Sequence, residues 1–138
     1  MNYLLDTNAC IVYLNRRVSS VRQRLEALPK HDIAVCSIVK SELFYGAIKS
    51  SNPERSLGMQ QEFLNQYVSL PFDDKAALVY GQIRAQLATL GTPIGPLDLQ
   101  IAAIALANNL TLVTHNTREF SRVEGLQIED WEAAGDEN

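Results

Sequence analysis

The chain has 138 residues with 12 basic and 16 acidic side chains, a formal net charge of −4, 46% hydrophobic and 20% charged residues, the composition of one globular domain with a core of its own. These values argue against a nucleic-acid binder held by bulk positive charge. No apolar run approaches the ~20 residues of a membrane span, and the only two cysteines, Cys10 and Cys36, offer neither a disulfide framework nor a CxxC metal site. Both lie in apolar stretches and read as buried free thiols. The start Met-Asn-Tyr-Leu-Leu-Asp does not read as a secretory signal, so a cytoplasmic location is the expectation.

In chain order, residues 3–6 read as a short buried strand. Thr7 and Asn8 then read as cap residues of a helix over 9–15. Residues 18–28 carry Val18, Val21, Leu25 and Leu28 at helical spacing, stopped by Pro29. Residues 33–36 form a second strand, and Ser37 caps a helix through Ile48. Pro53 opens a helix to about Tyr67, and residues 68–71 are a third strand. Asp73 caps a long helix to Leu90. The stretch 91–96, with two glycines and two prolines, is a loop. Residues 97–108 make the most apolar helix, which belongs in the centre. Residues 110–113 are a fourth strand, 126–128 a further short one, and 133–138 a polar, disordered tail. The expected domain is 1–132.

Short apolar strands alternating with helices predict an α/β fold, a parallel sheet flanked by helices. Ligands of such sheets bind outside the carboxyl ends of the strands. Asp6 ends the first strand, Glu42 lies one to two turns into the helix after the second, Asp98 opens the central helix, and Asn116 follows the fourth strand within Thr114-His115-Asn116-Thr117-Arg118-Glu119. All four are therefore expected on one edge of the sheet. Each has a bland role: Asp98 suits a helix N-terminus after Pro96, Asp6 belongs to a capping cluster, Glu42 is a good helix former, and Asn116 and Glu119 suit a loop. Together they define a carboxylate cluster. Without a cation such a cluster repels itself; with one, it offers the oxygen ligands a hard divalent ion takes. No GxSxG, Walker or GxGxxG motif occurs, which removes the signposted nucleophile and nucleotide sites. His31 reads as an exposed turn residue, and His115 as an outer or solvent-facing one.

The motifs Leu4-Leu5-Asp6-Thr7-Asn8, Ser37-Ile38-Val39-Lys40-Ser41-Glu42-Leu43, Gly95-Pro96-Leu97-Asp98-Leu99 and Leu112-Val113-Thr114-His115-Asn116-Thr117-Arg118-Glu119-Phe120 resemble those of PIN-domain ribonucleases. The ending around Val123-Glu124-Gly125-Leu126 and Glu129-Asp130-Trp131 is similar to the VapC toxin branch of that family. The resemblance runs in order from about residue 2 to 132. It implies a three-layer α/β/α sandwich with a mainly parallel sheet of four to five strands, a homodimer, and magnesium- or manganese-dependent cleavage of RNA. It makes Asp6 and Asp98 direct metal ligands and Glu42 a third, direct or through water. Asn116 stands where the wider family often has Asp, and Glu119 where many toxins carry an acid, so Glu119 is the expected fourth acid. One firmly held magnesium, with a second recruited by the substrate phosphate, matches that missing charge at 116.

The resemblance further implies a VapB-type antitoxin as partner, operator DNA bound only through the antitoxin complex, and an RNA substrate, transfer RNA cut in the anticodon stem-loop, including initiator transfer RNA, being the favoured choice. Recognition of a folded loop needs shape and splayed bases rather than a long basic stripe. Arg16, Arg17, Lys40 and Arg118 are candidates to grip RNA, with surface solvation as the rival role. Thr7 and Thr114 are candidates to orient carboxylates. Val12, Tyr13, Val18 and Val21 are candidates for a partner groove, which core packing explains equally well. A general structure-specific RNA or DNA nuclease and a catalytically silent binding module of the same fold are the alternative functions.

Overall fold

The computed structural model describes residues 1–132; the expected tail at 133–138 lies outside the described residues. Five parallel strands, β1 (Tyr3–Leu5), β2 (Ile33–Cys36), β3 (Val68–Leu70), β4 (Thr111–Val113) and β5 (Ile128–Glu129), form one sheet in the order β3-β2-β1-β4-β5. The helices are α1 (Thr7–Asn15), α2 (Ser20–Ala27), α3 (Ser37–Ile48), α4 (Pro53–Leu64), α5 (Asp74–Leu90), α6 (Pro96–Ala107) and α7 (Thr117–Phe120). Successive crossovers step from β1 to β2 to β3, then jump back over the sheet to β4, on the far side of β1. With right-handed crossovers this puts helices on both faces. α1 to α4 pack among themselves and α5 packs along α6.

Burial follows strand position. The central β2 is buried throughout and β1 and β4 nearly so, whereas the edge strand β3 is largely exposed and β5 half-buried. Central parallel strands are covered on both faces and read as continuous apolar runs, which is why Tyr3-Leu4-Leu5 and Ile33-Ala34-Val35-Cys36 show no alternation. α6 follows the same logic among helices. Leu99, Ile101, Ala102, Ala103, Ile104, Ala105 and Ala107 are all buried, so this helix has no solvent face along most of its length. α5 ends at Gly91, whose φ of 70° closes the helix in the left-handed conformation. Asn109 makes the turn from α6 into β4 with φ 54°, a conformation its short polar side chain tolerates.

Several boundaries differ from the sequence expectation for local reasons. α1 starts at Thr7, capped by Asp6 itself, whose carboxylate accepts from the backbone of Ala9; Thr7 and Asn8 are inside the helix. α2 starts at Ser20 under a Ser19 cap. Val18 stays outside that helix and is 79% exposed, while Val21 is buried in the core and Val12 and Tyr13 pack against it. Those four residues do not form a common surface groove. α4 stops at Leu64, and β5 lies at Ile128–Glu129 rather than 126–128. The polar stretch after β4 contains α7, a single turn too short to show periodicity in sequence. Cys10 and Cys36 are buried free thiols.

Candidate active site

The jump in strand order places the switch point between β1 and β4, where the chain leaves the sheet in opposite directions and opens a crevice at the strand carboxyl ends. Asp6 occupies the β1 side of that crevice. Its backbone N–H donates to the Val113 carbonyl at 3.1 Å, which fixes the end of β1 against β4. Its side chain turns into the first turn of α1 and accepts from Ala9 N at 2.8 Å.

Around Asp6 the structure assembles the expected acids. A cleft of about 400 Å³ is lined by Asp6, Thr7, Asn8, Ile11, Glu42, Asp98, Asn116 and Phe120. Glu42 reaches it from α3, and its Oε1 accepts from the Thr7 hydroxyl at 2.7 Å. Asp98 reaches it from the first turn of α6. Asn116 arrives from the loop after β4, its backbone N–H donating to Thr114 Oγ1 at 3.0 Å. Thr114 is buried at the same strand end. Glu119 stands one turn further on. Its Oε2 accepts from the Asn116 side-chain amide at 2.8 Å and its Oε1 from the backbone of Gly95 at 3.3 Å.

Electrostatics mark the cleft as strained for carboxylates alone. Asp6 is only 5% exposed. Burial pushes its carboxyl up to about 6, against the opposing bonds from Thr114 and Ala9 and with help from the charges of Asp98 and Glu132. Asp98 is raised by partial burial, then by Glu119 and Glu42. Buried acids that raise one another are the environment a cation relieves. The donor set is all oxygen, which fits a hard divalent ion rather than a soft one. Among the described residues, three ligand atoms mutually within 4.8 Å occur at His115, Asp130 and Glu132, at the rim, rather than among the cleft acids.

The basic residues are placed differently from the acids. Arg16 and Arg17 are exposed beyond the far end of α1, Lys40 is half-buried on α3, and Arg118 is exposed on α7; none of them lines the cleft. His31 is exposed in a 3-10 turn. His115 is 62% exposed and bonds Asp130 through Nδ1 at 3.0 Å. Asn8, Ile11 and Phe120 line the cleft without having been singled out in the sequence. Asn8 reads there as a cap but lies inside α1, and Phe120 is buried in the core while lining the cleft from α7.

The PIN domain family model matches residues 3–126. Over 131 residues, 95% of this chain and 98% of the relative, the chain is 44% identical to the tRNA(fMet)-specific endonuclease VapC of Shigella flexneri. It is 41% identical over 133 residues to ribonuclease VapC2 of Rickettsia felis, covering 96% of this chain and 99% of the relative. Among solved structures, it superposes on VapC in the DNA-bound VapBC complex of Salmonella typhimurium with a TM-score of 0.90 at 42% identity, covering 95% of this chain and 98% of that one. The chain belongs to the PIN-domain family and, within it, to the VapC ribonucleases. It is accordingly a nuclease of the hydrolase class, with the divalent-metal dependence general to PIN nucleases.

Proposed function

We propose that this protein is the toxin of a toxin–antitoxin pair, a magnesium-dependent endoribonuclease that halts translation by cutting transfer RNA in the anticodon stem-loop, initiator transfer RNA foremost. The single observation that carries the catalytic part is the convergence of Asp6, Glu42 and Asp98 on one cleft at the β1–β4 switch point. The choice of RNA rests on the Shigella flexneri relative, whose name specifies tRNA(fMet). The partner reading rests on the VapBC complexes of Salmonella typhimurium and Rickettsia felis, each crystallised with DNA. A VapB-type antitoxin would neutralise the nuclease and carry the complex to operator DNA. A homodimer is part of the same proposal.

Asp6 and Asp98 would hold the magnesium ion (manganese being the alternative), with Glu42 as third ligand, direct or through water. When bound, the ion supplies positive charge to the scissile phosphate and acidifies a water molecule. The chain's own residues do the rest. Thr7 fixes the Glu42 carboxylate by its 2.7 Å bond, so that Glu42 can orient the attacking water. The Ala9 amide holds the Asp6 carboxylate by its 2.8 Å bond. Attack by water needs no 2′-hydroxyl, so the products carry 5′-phosphate and 3′-hydroxyl ends.

Incubation of the protein with total RNA and magnesium, with Asp6→Asn and Asp98→Asn as controls, tests the reading. A discrete cut in one transfer RNA, abolished in both variants, is expected. A 2′,3′-cyclic phosphate product would overturn the water mechanism. Equal cleavage of DNA would replace the toxin reading with a general nuclease. Absence of divalent-ion binding in calorimetry would favour a silent binding module.

A further inference from the structure

α6 begins in an unusual way for a helix with an acid in its first turn. Gly95 is its N-cap, Pro96 the first helical residue, and Asp98 the third. The Gly95 carbonyl accepts the first intrahelical bond, from Leu99 N at 2.9 Å. A side-chain acceptor at the third helical position can reach back to the backbone N–H of the N-cap, as Glu or Gln does in a capping box. That bond would turn Asp98 toward its own helix end and away from the cleft. Here the Gly95 N–H is already taken, by Glu119 Oε1 at 3.3 Å, from a residue 24 positions later. The other Glu119 oxygen accepts from Asn116 Nδ2 at 2.8 Å. Among the described residues no hydrogen bond reaches the Asp98 carboxylate, which lines the cleft.

We propose that Glu119 is a positioning residue that caps the Gly95 N–H in place of Asp98, leaving the Asp98 carboxylate to face the cleft, and that Asn116 holds Glu119 in that pose. This rests on the reading of Asp98 as a metal ligand. It assigns the amide at 116 a job that an aspartate there would not do, because a carboxylate at 116 has no proton to donate and would repel Glu119. Asn116 is the N-cap of α7, yet its side chain makes no cap bond to its own helix; its amide is spent on Glu119 instead. A carboxylate near the N-terminus of α6 also meets the positive end of that helix.

The pair Glu119→Gln and Glu119→Ala separates this role from a direct charge on the cation. A glutamine at 119 still accepts from Gly95 through its carbonyl oxygen and can bond Asn116 with the amide of Asn116 turned over. E119Q is therefore expected to lose clearly less magnesium affinity and kcat than E119A. E119A is expected to lose about 10- to 100-fold in both, with KM for RNA little changed, at a temperature well below its melting point. Equal losses in E119Q and E119A would overturn the proposal, because only the charge would then matter. A readout free of both metal and RNA completes the test. By amide hydrogen exchange, Gly95 is expected to stay protected in E119A, where Asp98 takes over the bond, and to lose protection in the double variant E119A/D98A. Fast exchange at Gly95 in E119A alone would show that Asp98 was never competing for it, and would overturn the proposal even if the wild type cut no RNA. Conversely, RNA cleavage absent from the wild type with this exchange pattern intact would sink the proposed function and leave the capping role standing.

Discussion

The Thr7 hydroxyl donates to Glu42 Oε1 at 2.7 Å across 35 residues of sequence, tying the first turn of α1 to the second turn of α3. Both residues line the cleft, and Glu is long enough to take several rotamers at that site. The bond removes that freedom where it matters for orienting water. Thr7→Val keeps the shape and deletes the donor. It is expected to lower kcat by about tenfold or more with KM nearly constant, while folding stability moves by about 1 kcal/mol or less. Thr7→Ser is expected to restore most of the rate. Wild-type turnover in Thr7→Val would show that Glu42 needs no such anchor.

Asp6 makes the metal-free protein less stable at neutral pH. Its folded carboxyl lies at about 6 instead of 3.8, chiefly through burial, so the folded state keeps a proton that the unfolded chain has already lost. The sign follows: Asp6 costs nothing below about pH 4, its cost grows as pH rises toward 6, and above 6 it levels off. The shift corresponds to about 3 kcal/mol. Asp6→Asn retains an N-cap acceptor for Ala9 and cannot ionise. It is expected to match the wild type near pH 4 and to melt higher near pH 8 when both are free of metal. Magnesium should raise the wild-type melting temperature at pH 8, and chelation should reverse the gain, with little response in Asp6→Asn. A variant less stable than the wild type at pH 8 would show that burial of the charge is not the dominant effect.

The placement of these acids was legible because strand ends are legible. Asp6 and Asn116 follow apolar runs that can only be central strands, and Asp98 follows a proline at a helix start. The sequence pattern therefore places them on one sheet edge. What it could not show is which groups meet there. Thr7 with Glu42, and Glu119 with Gly95, are pairings between distant segments, set by how α1, α3, α6 and α7 are packed. α7 was hidden because one helical turn leaves no periodic trace, and the first cap was narrowed only to the cluster Asp6, Thr7 and Asn8 because Asp, Thr and Asn are all competent caps in succession. Groove and core packing stayed equal readings for Val12, Tyr13, Val18 and Val21 because helical spacing alone does not distinguish a buried face such as that of Val21 from an exposed flank such as Val18.

His115 titrates at the rim of the site. Its bond to Asp130 first, and then the charges of Asp130 and Glu132, raise it above its usual 6.5. Because the imidazolium is the favoured form in the fold, its contribution is present below 6.5 and is lost as pH rises through the folded value. The ring is largely exposed, so its effect on global stability is small. By NMR, the wild-type His115 midpoint is expected above 6.5 and to fall in Asp130→Asn. An unchanged midpoint in that variant would mean that the Asp130 contact does not persist in solution.

Trp131, the single tryptophan, fastens the last strand of the sheet beneath the site. It is 3% exposed, meets Tyr3 edge-on with ring centroids 5.2 Å apart, lies under the Arg24 guanidinium at 5.1 Å, and donates from Nε1 to Glu129 Oε1 at 3.0 Å. Its carbonyl accepts from the Ser20 hydroxyl, so α2 is held as well. Glu129 in turn accepts through its backbone from Thr114 N at 3.0 Å, and the carbonyl of the preceding Val113 accepts from Asp6 N at 3.1 Å. The clasp at β5 is therefore connected to the backbone of Asp6 through β4 by two hydrogen bonds. Trp131→Ala should cost about 3–5 kcal/mol, and Trp131→Phe, which keeps the contact with Tyr3 but loses the Glu129 bond, a smaller part of that. Urea unfolding followed by circular dichroism measures both. A midpoint in Trp131→Ala equal to that of the wild type would show that β5 is an appendage and not part of the cooperative core that supports Asp6.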